Sequence, residues 1–308
     1  MPADKGMRMK IAIIGNGAIG NLLAYACQRH ALDFCLIERQ PLASHRQLRV
    51  TDINGQQHTI SCPLGHMDTI GAAELVIIPV KAYQVASVIN DAKAYLQPRQ
   101  TLVLLHNGMG TIEQATVALP QQSVIAATTS YGAFKDAPDS LKIMGQGDTH
   151  LGWIHQAKHS EVPLIEDTLS ALLPPSHWHQ DIQLALWLKL AVNASINPLT
   201  AIYQVNNGQL AEARFQSEID FVCAEISLVM QKLGYQQSKA ELLSKVNRVI
   251  AQTADNLSSM NRDIFYQRPS EIDFINGYIL RQAKRLGIAC PHNQALYTQI
   301  KKLEQAYS

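Results

Sequence analysis

The chain changes its hydrophobic rhythm near its middle. Up to about Trp178 the apolar residues come in short runs of four to six: Lys10 to Ile14 (KIAII), Phe34 to Ile37, Leu75 to Val80 (LVIIPV), Thr101 to Leu105 (TLVLL) and Val124 to Thr128 (VIAAT). Such runs, rich in β-branched residues and closed by polar or glycine clusters, predict strands buried on both faces, as in a parallel sheet. Beyond Trp178 the spacing becomes helical. Phe215, Ile219, Val222, Ile226, Val229 and Leu233 recur at three and four, and Gly234 follows as a C-terminal cap. A second helix is predicted over Ala240 to Asn256. A third begins at Ser270, with Asp273 three residues on, carries Ile272, Ile275, Ile279 and Leu286, and stops at Gly287; a short one holds Leu296, Ile300 and Leu303. The pattern predicts an α/β fold: an N-terminal Rossmann-type dinucleotide-binding domain over residues 1–180, then an all-α domain over 181–308.

The nucleotide expectation rests on GNGAIG, Gly15 to Gly20, which lies between the first strand and the helical segment NLLAYACQRH. Strand, glycine turn, helix, strand is the order a dinucleotide fingerprint requires. Gly15 allows the tight turn, Gly17 lets a pyrophosphate approach the backbone, and Gly20 lets helix and strand pack closely. The helix N-terminus offers free N–H groups and partial positive charge to phosphate. About 20 residues on, Glu38 and Arg39 pull in opposite directions. An acid there binds the ribose 2′-hydroxyl of NAD, whereas an arginine accommodates the 2′-phosphate of NADP. Spacing alone leaves both open. Ligands of open parallel sheets bind beyond the carboxyl ends of the strands, which puts Lys81, Asn107 in HNGMG and Ala133 in TSYGA on the rim of the expected site.

The helical half carries a polar stripe. Lys189, Asn193 and Asn197 are spaced by four within LWLKLAVNASINPLT, so they share one helix face. A cationic donor and two amides suit a small polar substrate; equally, lysine can reach water along its stem while asparagines satisfy helix ends. Pro198 disfavours helical geometry in the residue before it, so Asn197 is expected at a helix end or kink. Glu271 in a first turn has a sufficient structural explanation in the helix dipole, and Ser259 in NLSSM could simply end a long helix.

Composition narrows the partners. The 308 residues exceed the usual size of a single core, 47% are hydrophobic, and the net charge is +1 without a long basic run, so nucleic acid is not an expected partner. No stretch of about 18 consecutive apolar residues exists, so no membrane span is expected. Five cysteines without a CxxC pair, and no secretory leader, point to reduced thiols in the cytoplasm. No metal-ligand set is assigned. Residues 1 to 8 read as a polar lead-in.

Taken in order and spacing, GNGAIG, LHNGMG, LWLKLAVNASINPLTAI, NNGQL, NLSSM and EIDFINGYIL resemble the ketopantoate reductase (2-dehydropantoate 2-reductase) family over essentially the whole chain after residue 8. The resemblance implies NADPH-dependent reduction of ketopantoate to D-pantoate in pantothenate synthesis. It implies Lys189 as general acid and Asn107, Asn193, Asn197, Asn207 and Ser259 as substrate ligands. It implies Gly15, Asn16, Gly17, Ala18, Ile19, Gly20, Arg39, Lys81, Asn107, Ala133 and Glu271 at the cofactor, with Glu271 also able to hold substrate. A homodimer is compatible with it. Ala185 and Leu188 stand where the familiar ELWRKL pattern carries charges, so a lowered lysine pKa is expected. Two alternatives stay open: a related dehydrogenase acting on another 2-oxo or 3-hydroxy acid, and a non-catalytic NADP sensor for which the polar stripe would be unnecessary.

Overall fold

The computed structural model describes residues 9–41, 43–157 and 162–307; the polar lead-in of residues 1 to 8 lies outside them. The chain divides by packing into two units, Met1–His106 with Thr111–Ile182, and Asn107–Gly110 with Gln183–Ser308.

Among the described residues the first unit is built on eleven strands. In chain order they are β1 (Lys10–Ile14), β2 (Asp33–Ile37), β3 (His45–Thr51), β4 (Gln57–Gly65), β5 (Leu75–Ile78), β6 (Thr101–Leu105), β7 (Ser123–Thr129), β8 (Gly132–Phe134), β9 (Ser140–Gly145), β10 (Thr149–His155) and β11 (Ser176–Trp178). They are joined by the helices α1 (Ala18–Arg29), α2 (Ala82–Ala92), α3 (Ile112–Ala118) and α4 (Val162–Leu172). The sheet order is β11-β10-β7-β6-β5-β1-β2-β4-β3-β9-β8. β1 pairs in parallel with both β2 and β5, and β6 and β7 extend the parallel set. The connections therefore reverse direction at β1 and β5, the point where such sheets open a crevice for ligands.

The apolar runs are continuous because both faces are covered. Ile11 and Ile13 of β1 enter one core cluster with Leu22 and Leu23 of α1 and Leu169 of α4. Ala12 and Ile14 enter the other with Val85 and Ile89 of α2 and Ala115 of α3. All five strands expected from the sequence are present, three with ends shifted by one or two residues. Six more were not anticipated. In β3 and β4 the burial alternates, with Leu48, Val50, Ile60 and Cys62 inside, so the period-2 signal of half-buried strands was there among charged residues.

The described residues of the second unit form the helices α5 (Gln183–Tyr203), α6 (Ala213–Lys232), α7 (Lys239–Gln252), α8 (Ser259–Phe265), α9 (Asn276–Leu286) and α10 (Pro291–Gln305). Phe215, Ile219, Val222, Ile226 and Val229 of α6 are buried as the spacing requires, and Gly234 and Gly287 take positive φ just past α6 and at the end of α9. α7 starts and stops earlier than expected. Ser238 caps it, accepting from Glu241 N at 3.2 Å, while Glu241 Oε2 accepts from Ser238 N at 2.8 Å; the SKAE string carried that signal. The final helix is 15 residues long rather than short.

Three expectations need correction. Asn197 is neither at a helix end nor at a break: α5 runs unbroken through Pro198 to Tyr203. A proline there cannot donate to the carbonyl four residues back, and that carbonyl, Ala194 O, instead accepts from Asn276 Nδ2 at 3.3 Å. Nor does a helix start at Ser270. A 3-10 turn occupies Ile272–Phe274, and α9 begins only at Asn276, because Ile275 takes a non-helical conformation (φ −104°, ψ −97°). The Ser270 N–H, which a capping box would use, goes to Glu304 Oε1 at 2.8 Å, and the Asp273 carboxylate binds Tyr297 and Lys301. Finally, Ser259 opens α8 instead of ending the helix before it. Among the described residues no helix is long and apolar enough to cross a membrane.

Candidate functional site

In the first unit the glycine turn has three different physical reasons for its three glycines. Gly15 has φ +125°, and a Cβ there would meet Val80 Cγ1 at 2.8 Å. A Cβ at Gly20 would stand 2.0 Å from Gly15 O, so only glycine lets α1 come this close to the turn. At Gly17 a Cβ would meet nothing within 4 Å. Nothing inside the protein demands that glycine, and the open space is what a phosphate resting on bare backbone needs. Gly17 is also the N-cap of α1, no side chain caps that helix, and its first turn holds no acid. The first-turn N–H groups of α1, with Asn16, Ala18 and Ile19 around them, therefore fit an anionic dinucleotide.

The other residues expected at the cofactor are spread along the same unit. Lys81 is the half-buried N-cap of α2, three residues past the end of β5. Ala133 lies in β8, pairs with Ile143, and packs on the same core as Ala18 and Ile19. Arg39 is exposed just past β2. Sequence reasoning missed Lys135, whose Nζ donates to Asn16 O at 2.9 Å and so ties the end of β8 to the glycine turn. It also missed Arg46, which binds Glu38 at 3.1 Å. No local motif could have found either, because the contacts depend on how the later strands fold back.

The second unit gathers the remaining candidates, including two that were expected on the nucleotide side. Asn107 and Gly108 leave the first unit: Met109 N donates to Phe274 O at 2.8 Å, and a Cβ at Gly108 would meet that same carbonyl oxygen at 2.6 Å. Asn107 Nδ2 reaches Glu271 Oε2 at 3.4 Å. Glu271 is only 3% exposed, and its charge acts on Lys189. The structure thus brings Lys189, Glu271 and Asn107 together from three separate stretches of chain. Burial pushes the Lys189 ammonium down to about 8, with Glu271 opposing the fall. The direction is the one expected from an apolar shell, and the lysine stays mostly protonated at neutral pH.

On α5, Asn193 is partly exposed and Asn197 is buried, and neither side-chain amide bonds to a described residue. Their hydrogen-bonding capacity is left for something else. Asn207, in a 3-10 turn, donates through Nδ2 to Thr253 Oγ1 at 2.8 Å, while its Oδ1 is buried with no partner among the described residues. Ser259 is exposed at the first position of α8. Its neighbour Ser258 is buried and fixes the helix start, accepting from Thr200 Oγ1 of α5 at 2.7 Å and from Asn261 N at 3.0 Å. Thr200 lies one residue short of a full turn beyond Asn197, so α8 is pinned to the polar end of α5.

Comparison with known proteins agrees with this division. Residues 11–156 match the family described as ketopantoate reductase PanE/ApbA, and residues 181–304 match its C-terminal part. The chain is 39% identical over 300 residues to the 2-dehydropantoate 2-reductase of Vibrio cholerae serotype O1, covering 97% of this chain and 99% of that one. It is similar in fold to a PanE/ApbA family ketopantoate reductase from Ralstonia eutropha JMP134 (TM-score 0.86, 24% identity, 97% and 99% covered). It is also similar to D-mandelate dehydrogenase in a ternary structure with NADH and anilino(oxo)acetate (TM-score 0.88, 23% identity, 97% and 99% covered). Those two likenesses speak for the fold alone, since one scaffold hosts different substrates. The sequence matches go further. They take in both units in order, at more than a third identity over nearly the whole length, and they make this chain a member of the ketopantoate reductase PanE/ApbA family.

Proposed function

We propose that the chain reduces 2-dehydropantoate to pantoate, a step of pantothenate synthesis, using NADPH, with Lys189 as the general acid. Support for the reaction comes from its relatives, which carry that activity by name. Support for the mechanism rests on one observation above all: a lysine depressed to about 8 by burial, under the charge of a buried carboxylate, on a helix face that also carries the unused amides of Asn193 and Asn197.

A bound reduced nicotinamide supplies the hydride that makes the ketone carbon tetrahedral. The task left to the protein is the charge growing on the ketone oxygen. Lys189, protonated at neutral pH, stabilises that charge and delivers the proton to the oxygen. A pKa near 8 suits this: the ammonium is present at pH 7 by about ten to one, yet gives up its proton more readily than an exposed lysine would. Glu271 favours the charged form of the ammonium and accepts from Asn107 Nδ2 on the neighbouring loop at 3.4 Å. Asn193 and Asn197, whose amides bond to no described residue, together with Asn207 would meet the substrate's hydroxyl and oxo groups, and Ser259 would offer a donor to its carboxylate. Gly15, Asn16, Gly17, Ala18, Ile19 and Gly20 would hold the pyrophosphate, Arg39 would take the 2′-phosphate, and Lys81 and Ala133 would lie beside the dinucleotide.

The deciding assay follows nicotinamide absorbance with ketopantoate and either NADPH or NADH. Rapid turnover with NADPH is expected. Failure on ketopantoate alongside reduction of a different 2-oxo acid would replace the substrate.

A further inference from the structure

Two opposite charges end β2, and the structure treats them differently. Glu38 Oε1 accepts from Arg46 NH1 at 3.1 Å and from Asn16 Nδ2 at 3.0 Å. Arg46, contributed by β3, has a side chain only 14% exposed. Its NH2 donates to the fully buried Asn21 at 2.6 Å, and its Nε lies 3.6 Å from Asp139 Oδ1, an ion pair rather than a hydrogen bond. Asn21 Nδ2 donates to Asn16 O at 2.9 Å, the same carbonyl that Lys135 holds. Arg39, next to Glu38, is exposed and bonds to no described residue.

We propose that Arg46 determines dinucleotide specificity by occupying Glu38. An ionised carboxylate only accepts hydrogen bonds. Left free at this place, Glu38 would take a ribose 2′-hydroxyl and repel a 2′-phosphate, the combination that selects NAD. Bound by Arg46 and Asn16, Oε1 of that carboxylate is already engaged and its charge is offset. Counting the charged side chains of this corner, Arg39, Arg46 and Lys135 stand against Glu38 and Asp139, a net of one positive charge that falls to zero without Arg46. Arg39 then serves as the planar donor for phosphate. Because β3 lies outside the strand–turn–helix–strand fingerprint, residues 15–39 by themselves give contradictory signals, and the third party that resolves them comes from the next hairpin.

This inference rests on the NADPH reading, and the test separates the two. Calorimetry on the full-length protein compares adenosine 2′,5′-bisphosphate with adenosine 5′-monophosphate, alongside kcat/KM for NADPH and NADH. A wild-type protein with no preference for the 2′-phosphate defeats the cofactor reading before any variant is made. Given a wild-type preference, Arg46→Gln should shrink it at least about tenfold, equivalent to about 1.4 kcal/mol. The double variant Glu38→Gln/Arg46→Gln should recover most of it, which a merely structural role of Arg46 would not produce. An unchanged preference in Arg46→Gln overturns the proposal. So does a double variant as poor as the single one, since Arg46 would then act on the phosphate itself. Should thermal melts show Arg46→Gln unfolded, Glu38→Gln decides alone: it should keep or sharpen the preference, and its loss sinks the idea.

Discussion

Asn276 of α9 donates to the backbone carbonyl of Ala194 in α5, the one that Pro198 cannot serve. The same Nδ2 lies 3.0 Å from Asn293 Oδ1, and Asn293 in turn donates to Glu225 Oε2 at 2.8 Å. A buried polar chain thus replaces one lost helix bond. Asn276→Leu should cost about 1–3 kcal/mol by leaving a buried carbonyl unsatisfied. In a Pro198→Ala background the restored N–H serves Ala194 O, so the same substitution should cost about 1 kcal/mol less. Urea denaturation of the four proteins in this cycle measures the difference.

Activity should follow the charge of Lys189. With Lys189 in the proposed role, reduction uses the ammonium, so its rate should fall as pH rises through about 8, while oxidation of pantoate should rise over the same interval. Glu271 raises the lysine's pKa, so Glu271→Gln should move the falling limb to lower pH. Stability has its own sign. The folded pKa lies below the ordinary lysine value of about 10.4, so the unfolded chain binds more protons between about 8 and 10.4 and this group's contribution improves with rising pH across that window. Lys189→Ala should abolish turnover with NADPH binding still measurable. A pH-rate profile flat from 6 to 9 would remove the lysine from its role.

The glycines of the turn should separate fold from ligand. Gly20→Ala places a methyl against the Gly15 carbonyl, where only backbone can yield, and should lower stability by roughly 3 kcal/mol or more. Gly17→Ala meets open space at an ordinary φ of −67°, so its melting temperature should barely change. Its NADPH affinity should nonetheless drop about tenfold or more, because the methyl occupies the phosphate's approach to the backbone. Fluorescence titration of NADPH beside a thermal melt reads both.

Adjacent serines should behave as opposites. Ser258→Ala removes the α8 cap and the partner of Thr200, at a cost of about 1–2 kcal/mol. Ser259→Ala alters an exposed residue and should leave stability within about 0.5 kcal/mol while raising KM for ketopantoate. Equal effects on stability would mean that the assignment of Ser259 to substrate is wrong.

What could be read from the chain was what depends on neighbours in sequence. KIAII and GNGAIG form one short strand–turn–helix unit, so spacing sufficed. The stripe of Lys189, Asn193 and Asn197 was legible because four residues make about one helical turn. Pro198 misled because its remedy, Asn276, belongs to another helix. Arg46 and Lys135 were invisible for the same reason: each meets its partner only after β3 or β8 has returned to the glycine turn. Glu271 looked like a helix-dipole residue until the loop at Asn107 and the lysine of α5 arrived beside it.

The four residues Asn107–Gly110 carry a consequence for anyone cutting this molecule apart. They pack with the helical unit although they are encoded in the middle of the other one. A gene fragment beginning at Gln183 would therefore lack the amide that meets Glu271 and the N–H that meets Phe274 O. The helical unit is no detachable cassette, and a chimaera between two relatives needs matched splices at both 107–110 and 183 to keep these contacts intact.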